Sequence, residues 1–159
     1  MEHGKKKEPV AFKEYEKYLR KMGKPVKVLQ SGLYVSPNIP ILSCSPNAKV
    51  IDLSCRDRFG IGEVKCWLSK FNVSLIDACD DPGFFMEKKD GKLFLKRGYV
   101  YSYQVQRLMG LTGAQWCDSV VYTSKGLSVE RILSENDHWD TQWNCVITIL
   151  NRYLSTKSV

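Results

Sequence analysis

Histidine is almost absent from this sequence, which holds only His3 and His138, at opposite ends of the chain. Its six cysteines, at 44, 55, 66, 79, 117 and 145, include no Cys-x-x-Cys pair and have no histidine beside them. A structural zinc needs four nitrogen or sulfur ligands at short spacings, so zinc is excluded as an organiser of the fold. A framework of three disulfides is no better supported. Cys66, Cys117 and Cys145 stand inside apolar runs where a small thiol packs well, and no leader-like segment is recognisable. The reading is of reduced cysteines in an intracellular protein, nuclear in a eukaryote and cytoplasmic otherwise. No apolar run approaches the ~20 residues that cross a bilayer, so no membrane partner is expected. Repeats, low-complexity tracts and long linkers are missing as well. The 159 residues, 43% of them hydrophobic, are therefore read as one domain, 1–159, able to bury its own core.

What is present in excess is positive charge. Lys and Arg number 24 against 17 acidic residues, a net charge of +7, which favours polyanionic partners and nucleic acid first among them. Charge alone leaves a merely basic soluble protein equally open.

Periodicity supplies the elements. Glu8 to Met22 places Phe12, Tyr15 and Leu19 on one stripe, with Pro9 in an early turn and Gly23 and Pro25 beyond the end, and predicts an amphipathic helix. The runs VKVLQ, GLYVS, PILSC and KVIDL between Val26 and Leu53 predict successive strands, and GIGEVKCW another. Asn72 to Asp81 reads as a short helix or loop. Asp90-Gly91 between two alternating arms is a hairpin signal. Tyr99 to Met109 predicts a helix ended by Gly110 or Gly113, AQWCDSVVYT and LSVERIL two strands, and Asp137 to Leu154 a closing helix.

Alternation puts Glu63 and Lys65 on the same strand face. A carboxylate and an ammonium so placed, with a second acidic group at a neighbouring strand end, can hold a hard divalent cation over a phosphodiester and steady the charge of its cleavage. By itself a Glu-x-Lys triplet is commonplace. The order of blocks around it is more specific: Gly32-Leu33-Tyr34-Val35, Ser45-Pro46-Asn47-Ala48-Lys49-Val50-Ile51-Asp52, Gly62-Glu63-Val64-Lys65-Cys66, Tyr103-Gln104-Val105-Gln106 with Met109, Thr112-Gly113, and Trp116-Cys117-Asp118. Together, over about Glu2 to Trp139, they resemble the YqaJ-like viral recombinase domain, the lambda exonuclease family within the PD-(D/E)xK nucleases.

That resemblance implies an α/β (α+β) fold, a restriction-endonuclease-like mixed central sheet flanked by helices. It implies exonuclease-type hydrolysis of duplex DNA in viral or mobile-element recombination, with Mg²⁺ or Mn²⁺ as cofactor and double-stranded DNA as partner. It leaves open a homo-oligomer and a recombination partner protein. Carried over by position, Glu63 is the metal-binding carboxylate, Lys65 the catalytic lysine, Val64 a backbone metal ligand and Gln104 the active-site glutamine. Glu8 matches an acidic residue of the first helix that faces the site. The family's usual Ser-Pro-Asp-Gly reads Ser45-Pro46-Asn47-Ala48 here. A neutral amide thus stands at a principal metal-ligand position, which weakens the ion's hold and makes a catalytically weakened or inactive DNA-binding module the rival reading. Trp67 replaces a usual proline, and the helical segment that precedes this region in the family is not expected within the chain.

Phosphate-contact candidates are Ser45 and the basic hairpin residues Lys88, Lys89, Lys92, Lys96 and Arg97, against the simpler view of a solvated charged face. Asp52, five residues past Asn47, lies ~16 Å along the strand and is too far to replace the missing carboxylate. Asp57 is read as a solvated turn residue, and the two histidines as structural or exposed. Tyr99, Tyr101 and Tyr103 divide between core and site. Trp116, Trp139 and Trp143 are read as packing anchors.

Overall fold

A computed structural model describes residues 2–37 and 39–135. Helix α1 (Glu2–Lys21) leads into β1 (Val26–Gln30), β2 (Tyr34–Val35), β3 (Ser43–Cys44), β4 (Ala48–Asp52) and β5 (Phe59–Lys65). A 3₁₀ turn (Leu68–Lys70), the short helix α2 (Leu75–Ala78) and the hairpin β6 (Met86–Lys89) and β7 (Lys92–Leu95) follow, then α3 (Val100–Thr112), β8 (Trp116–Thr123) and β9 (Gly126–Leu133). The expected helix over Asp137 to Leu154, with Trp139 and Trp143, lies outside the described residues.

Five strands form one sheet in the order β1-β4-β5-β8-β9. All neighbours are antiparallel except β5 and β8, which are parallel. A parallel pair needs a crossover between its strands, and everything from Cys66 to Gln115 supplies it. The fold is thus α+β around a mixed sheet, consistent with a restriction-endonuclease-like fold.

Each sheet face buries its own core. On one side α1 sets Ala11 and Tyr15 against Val26, Val50, Val64, Trp116 and Val120. On the other, α3 and the β6–β7 hairpin bring Val105, Met109, Phe84 and Phe85 onto Ile61, Cys117, Val121 and Ile132. The alternation of β5 explains both. Gly60, Gly62 and Val64 face α1, while Ile61, Glu63 and Lys65 face α3. A Cβ at Gly60 would sit 2.3 Å from the Trp116 ring, and one at Gly62 would sit 2.9 Å from Phe12. The glycines are what let those two aromatics pack directly against the strand.

Several boundaries differ from the sequence expectation, among them β2, which is a strand only at Tyr34–Val35, and α3, which runs through Gly110 to Thr112. Helix α1 begins at Glu2 rather than Glu8, so Pro9 lies inside it. One intrahelical hydrogen bond is lost there, while the lysine-rich turn before it has good helix propensity. PILSC pairs only through Ser43–Cys44, because the preceding residues close a turn in which Ser36 N donates to Leu42 O at 2.9 Å. Strand β5 opens one residue before the expected run and ends at Lys65, leaving Cys66 and Trp67 outside it. The hairpin turn sits at Asp90 (φ 51°) and Gly91 (φ 74°), the left-handed pair an Asp-Gly turn requires.

Candidate active site

The register of three strands assembles the site. Gln30 pairs with Ala48 and Ala48 with Gly62. One step beyond that row, Asn47 meets Glu63 at the end of the ladder. The Asn47 N–H donates to Glu63 Oε2 at 3.4 Å, and the Val64 N–H donates to Asn47 Oδ1 at 2.9 Å. Both residues therefore sit on the α3 face of the sheet, where α3 presents Gln104.

Glu63 is only 5% exposed, and a buried carboxylate needs several partners. Lys65 Nζ lies 2.9 Å from Glu63 Oε1, and Gln104 Nε2 donates to the same oxygen at 2.8 Å. Lys65 Nζ also donates to Gln104 Oε1 at 3.0 Å, which closes a triangle. The glutamine amide fits because one end gives to the anion and the other takes from the cation, so neither charge is left bare. The Lys65 ammonium lies 4.5 Å from the centre of the Tyr101 ring, one turn before Gln104 on α3. Tyr101 is held edge-on by Phe85, which stacks on Trp67 at 5.1 Å. Behind the triangle Cys117 is fully buried, and burial, with the Glu63 charge after it, holds its thiol well above the usual range. It is no nucleophile.

Asn47 opens onto a cleft of about 780 Å³ between the ends of β1 and β4 and the N-terminal half of α1. Its walls include Glu8, Phe12, Gln30, Ser45 and Ala48. Glu8 and Ser45 thus share a solvent-open space with Asn47, and Asn47 is what joins that space to Glu63. The Cys66 thiol, past the strand end, is pushed up to about 11 by burial and then by the nearby Glu8 charge.

The Val64 N–H can only donate, which fixes the oxygen end of the Asn47 amide against it and turns the NH₂ end the other way. An aspartate would keep this bond with one oxygen and leave a second anionic oxygen free. Asparagine puts a donor in its place. Among the described residues no three or more His, Cys, Asp or Glu side chains converge as a ready metal cluster. For a divalent cation, then, the Glu63 carboxylate fits and the Asn47 side chain fits poorly.

The hairpin cations are mostly engaged nearby. Lys89 pairs with Glu87 at 2.7 Å and Arg97 with Glu135 at 3.1 Å, while Lys96 Nζ donates to Pro82 O at 2.9 Å and Phe84 O at 2.6 Å. Lys88 and Lys92 remain exposed. The hairpin is tied to the far edge of the sheet, where Leu95 N donates to Glu130 Oε2 at 2.6 Å.

Sequence reasoning did not find a second charged cluster, on the α1 face. Arg131 spans Asp118, with Nε to Oδ1 at 2.8 Å, and Asp52, with Nη1 to Oδ2 at 2.7 Å. Tyr15 OH donates to Asp118, and Trp116 lies under the guanidinium at 3.7 Å. The cross-strand pair Asp118 and Arg131 was the available signal, but it required the register of β8 against β9.

The YqaJ-like viral recombinase domain model matches residues 1–115, a span holding Asn47, Glu63, Lys65 and Gln104. The chain belongs to that family. Among solved structures, LHK-Exo in complex with dAMP superposes with a TM-score of 0.58 at 23% identity, over 98% of this chain and 74% of that one. An alkaline exonuclease (LHK-Exo) from Laribacter hongkongensis gives a TM-score of 0.57 at 22% identity, over 98% and 74%. At such identities the likeness concerns the fold. A search of curated proteins finds no significant match. No described helix of this YqaJ-like domain is long and apolar enough to cross a membrane.

Proposed function

We propose that this YqaJ-like domain is an exonuclease-type nuclease domain acting on phosphodiester bonds of duplex DNA. The observation that carries the reading is the closed triangle of Glu63, Lys65 and Gln104, with Asn47 in contact with Glu63 and lining an open cleft. In this reading Lys65 orients the attacking water or steadies the charge on the phosphoryl oxygens. Gln104 holds Lys65 and Glu63 at a fixed spacing. Glu8 and Ser45 meet the DNA from the cleft wall. A divalent cation, Mg²⁺ or Mn²⁺, would be held by Glu63 and the Val64 carbonyl, with Asn47 a weak third ligand, and would lower the pKa of water and offset phosphoryl charge. The similar structures, an exonuclease and its complex with dAMP, agree with a nucleotide-releasing activity.

A specific observation favours a second reading, in which the domain binds DNA and cleaves it slowly or not at all. The Asn47 oxygen already accepts the Val64 N–H, so among the described residues Glu63 is left as the one carboxylate hydrogen-bonded to Asn47. The test is nucleotide release from a linear duplex in Mg²⁺ and in Mn²⁺, comparing the protein with Glu63→Gln and Asn47→Asp. Release that Glu63→Gln abolishes supports the nuclease. Release only after Asn47→Asp supports the weakened form. No release from any of them, with the variants folded, overturns the nuclease and leaves DNA binding without cleavage.

A further inference from the structure

The sheet face that carries Glu63 is covered over only part of its width. α3, the hairpin and the β2–β3 pair lie toward β5, β8 and β9, whereas among the described residues no helix lies over the β1–β4 half on this side. Alternation opposite the buried Val26 and Val50 and the half-buried Val28 puts Lys27, Leu29, Lys49 and Ile51 on that open half, and Phe59 joins them from the start of β5. Phe59 is 57% exposed, and the Lys49 ammonium stands 5.0 Å from the centre of its ring. Lys27 is exposed, and neither lysine makes an ion pair among the described residues. Arg56 and Arg58, both exposed, border this half in the turn before β5, where Asp57 is the one acidic residue. Lys49 follows Asn47 by two residues on the same face, ~7 Å along the strand.

An exposed aromatic ring among unpaired cations on an otherwise open sheet face is what single-stranded nucleic acid uses. The ring offers a stacking platform to any base, and the cations follow the phosphates. We infer that the open half-sheet of Phe59, Lys49 and Lys27 is a path for single-stranded DNA, running between the Asn47–Glu63 site and the β4–β5 turn. The inference rests on the proposal that the site handles a DNA phosphodiester, and it adds where one strand lies once it is parted from its complement. Charge selects the occupant: an apolar protein partner would not require two unpaired lysines beside its aromatic anchor.

The experiment is fluorescence anisotropy with a labelled oligothymidylate and, separately, a blunt duplex, in EDTA at low salt so that nothing is cleaved. Phe59→Ala should weaken oligothymidylate binding about tenfold, Phe59→Trp should restore it, and the blunt duplex should respond little to either. Lys49→Ala and Lys27→Ala should each lower the slope of log affinity against log salt by about 0.7. Thermal melting identifies any variant that fails to fold, and the two lysine changes, at exposed or half-exposed positions, keep the test open if Phe59→Ala is such a variant. Unchanged oligothymidylate affinity in folded Phe59→Ala, or unchanged slopes in both lysine variants, overturns the inference. So does a mass measurement showing that Phe59→Ala dissociates an oligomer without altering DNA binding, since the occupant is then a second copy of the chain. Because no arm depends on cleavage, an inactive site leaves this result readable.

Discussion

The two faces of the central sheet each hold an ion cluster, and the two are built to opposite ends. On the α1 face Arg131 joins Asp52 and Asp118, with Tyr15 donating from the helix and Trp116 beneath. Asp52 and Asp118 are both 1% exposed, so two anions share one cation and the remaining lone pairs go to Tyr15, Ser54 and Cys55. On the α3 face a single anion, Glu63, has one cation and one amide, and the group beside it opens onto a cleft. The first cluster ties α1 to three strands and borders a pocket of about 240 Å³ beside Tyr18 and Leu19. The second reaches solvent through a neighbour, since Asn47, hydrogen-bonded to Glu63, lines the cleft of about 780 Å³. A buried ion pair is poor evidence of function by itself; what separates these two is the larger cleft that Asn47 shares with Glu8 and Ser45.

That comparison is broken most forcefully at Arg131. Replacing it with methionine leaves two carboxylates buried without their cation, and breaking such an arrangement costs about 3–5 kcal/mol. Urea unfolding should show that loss, with Tm lower by on the order of 10 °C. Lys65→Met should cost clearly less, because Glu63 keeps Gln104 Nε2 and the Asn47 N–H, yet it should remove any cleavage. Equal losses of stability from the two substitutions would erase the distinction between a structural and a functional cluster.

The next effect is on the ligand side. Asn47→Asp frees an anionic oxygen without moving the backbone, since one carboxylate oxygen can take over the Val64 N–H bond. Divalent-ion affinity by calorimetry and nucleotide release should rise together, by at least about tenfold. Cleavage by the Asn47 protein as fast as by Asn47→Asp would mean that Glu8 or another carboxylate completes the site.

Acid should separate the clusters too. Burial works against ionisation of Asp52, but hydrogen bonds from Ser54, Arg131 and Cys55 outweigh it and bring the group down to about 2. A depressed carboxylate stabilises the fold above its unfolded value, near 3.8, and that contribution fades as pH falls toward 2. Unfolding curves between pH 5 and pH 2 should show a falling stability that is shallower in Arg131→Met. An unchanged slope would mean that Arg131 does not hold Asp52 ionised.

How much of this was legible in the sequence follows from the same contrast. Local chemistry carried the hairpin, because Asp90-Gly91 demands its turn, and Glu63 and Lys65 share a face by alternation alone. The ordered blocks carried the family and the mixed sheet. What depended on register stayed hidden. The pairing of Asp118 with Arg131, the reach of Arg131 to Asp52 and the placing of Tyr101 over Lys65 each need strands or helices distant in sequence to be set side by side. The direction of the Asn47 amide was hidden for the same reason, since it is fixed by a backbone N–H seventeen residues away. The start of α1 was missed because Pro9 reads as a helix opening, and a proline inside a helix is the rarer use.

The smallest expected effect concerns the hairpin, whose five cations differ in what they already touch. Lys96 is spent on the carbonyls of Pro82 and Phe84, and Lys89 and Arg97 have carboxylates beside them. A cation so engaged gives a phosphate less than a free one does, and the hairpin's fixed point is β9, at the edge of the sheet farthest from β1. Lys96→Ala should therefore act on stability, by about 1 kcal/mol for the lost hydrogen bonds, and leave duplex affinity near that of the parent. Lys88→Ala with Lys92→Ala should do the reverse, lowering duplex affinity a few-fold at low salt and the salt slope by under two, since exposed cations act through the general field. Parallel melting and anisotropy titrations separate the cases. If Lys96→Ala costs as much duplex affinity as the Lys88 and Lys92 pair, the duplex lies along the hairpin, and direct contact rather than the general field governs its cations.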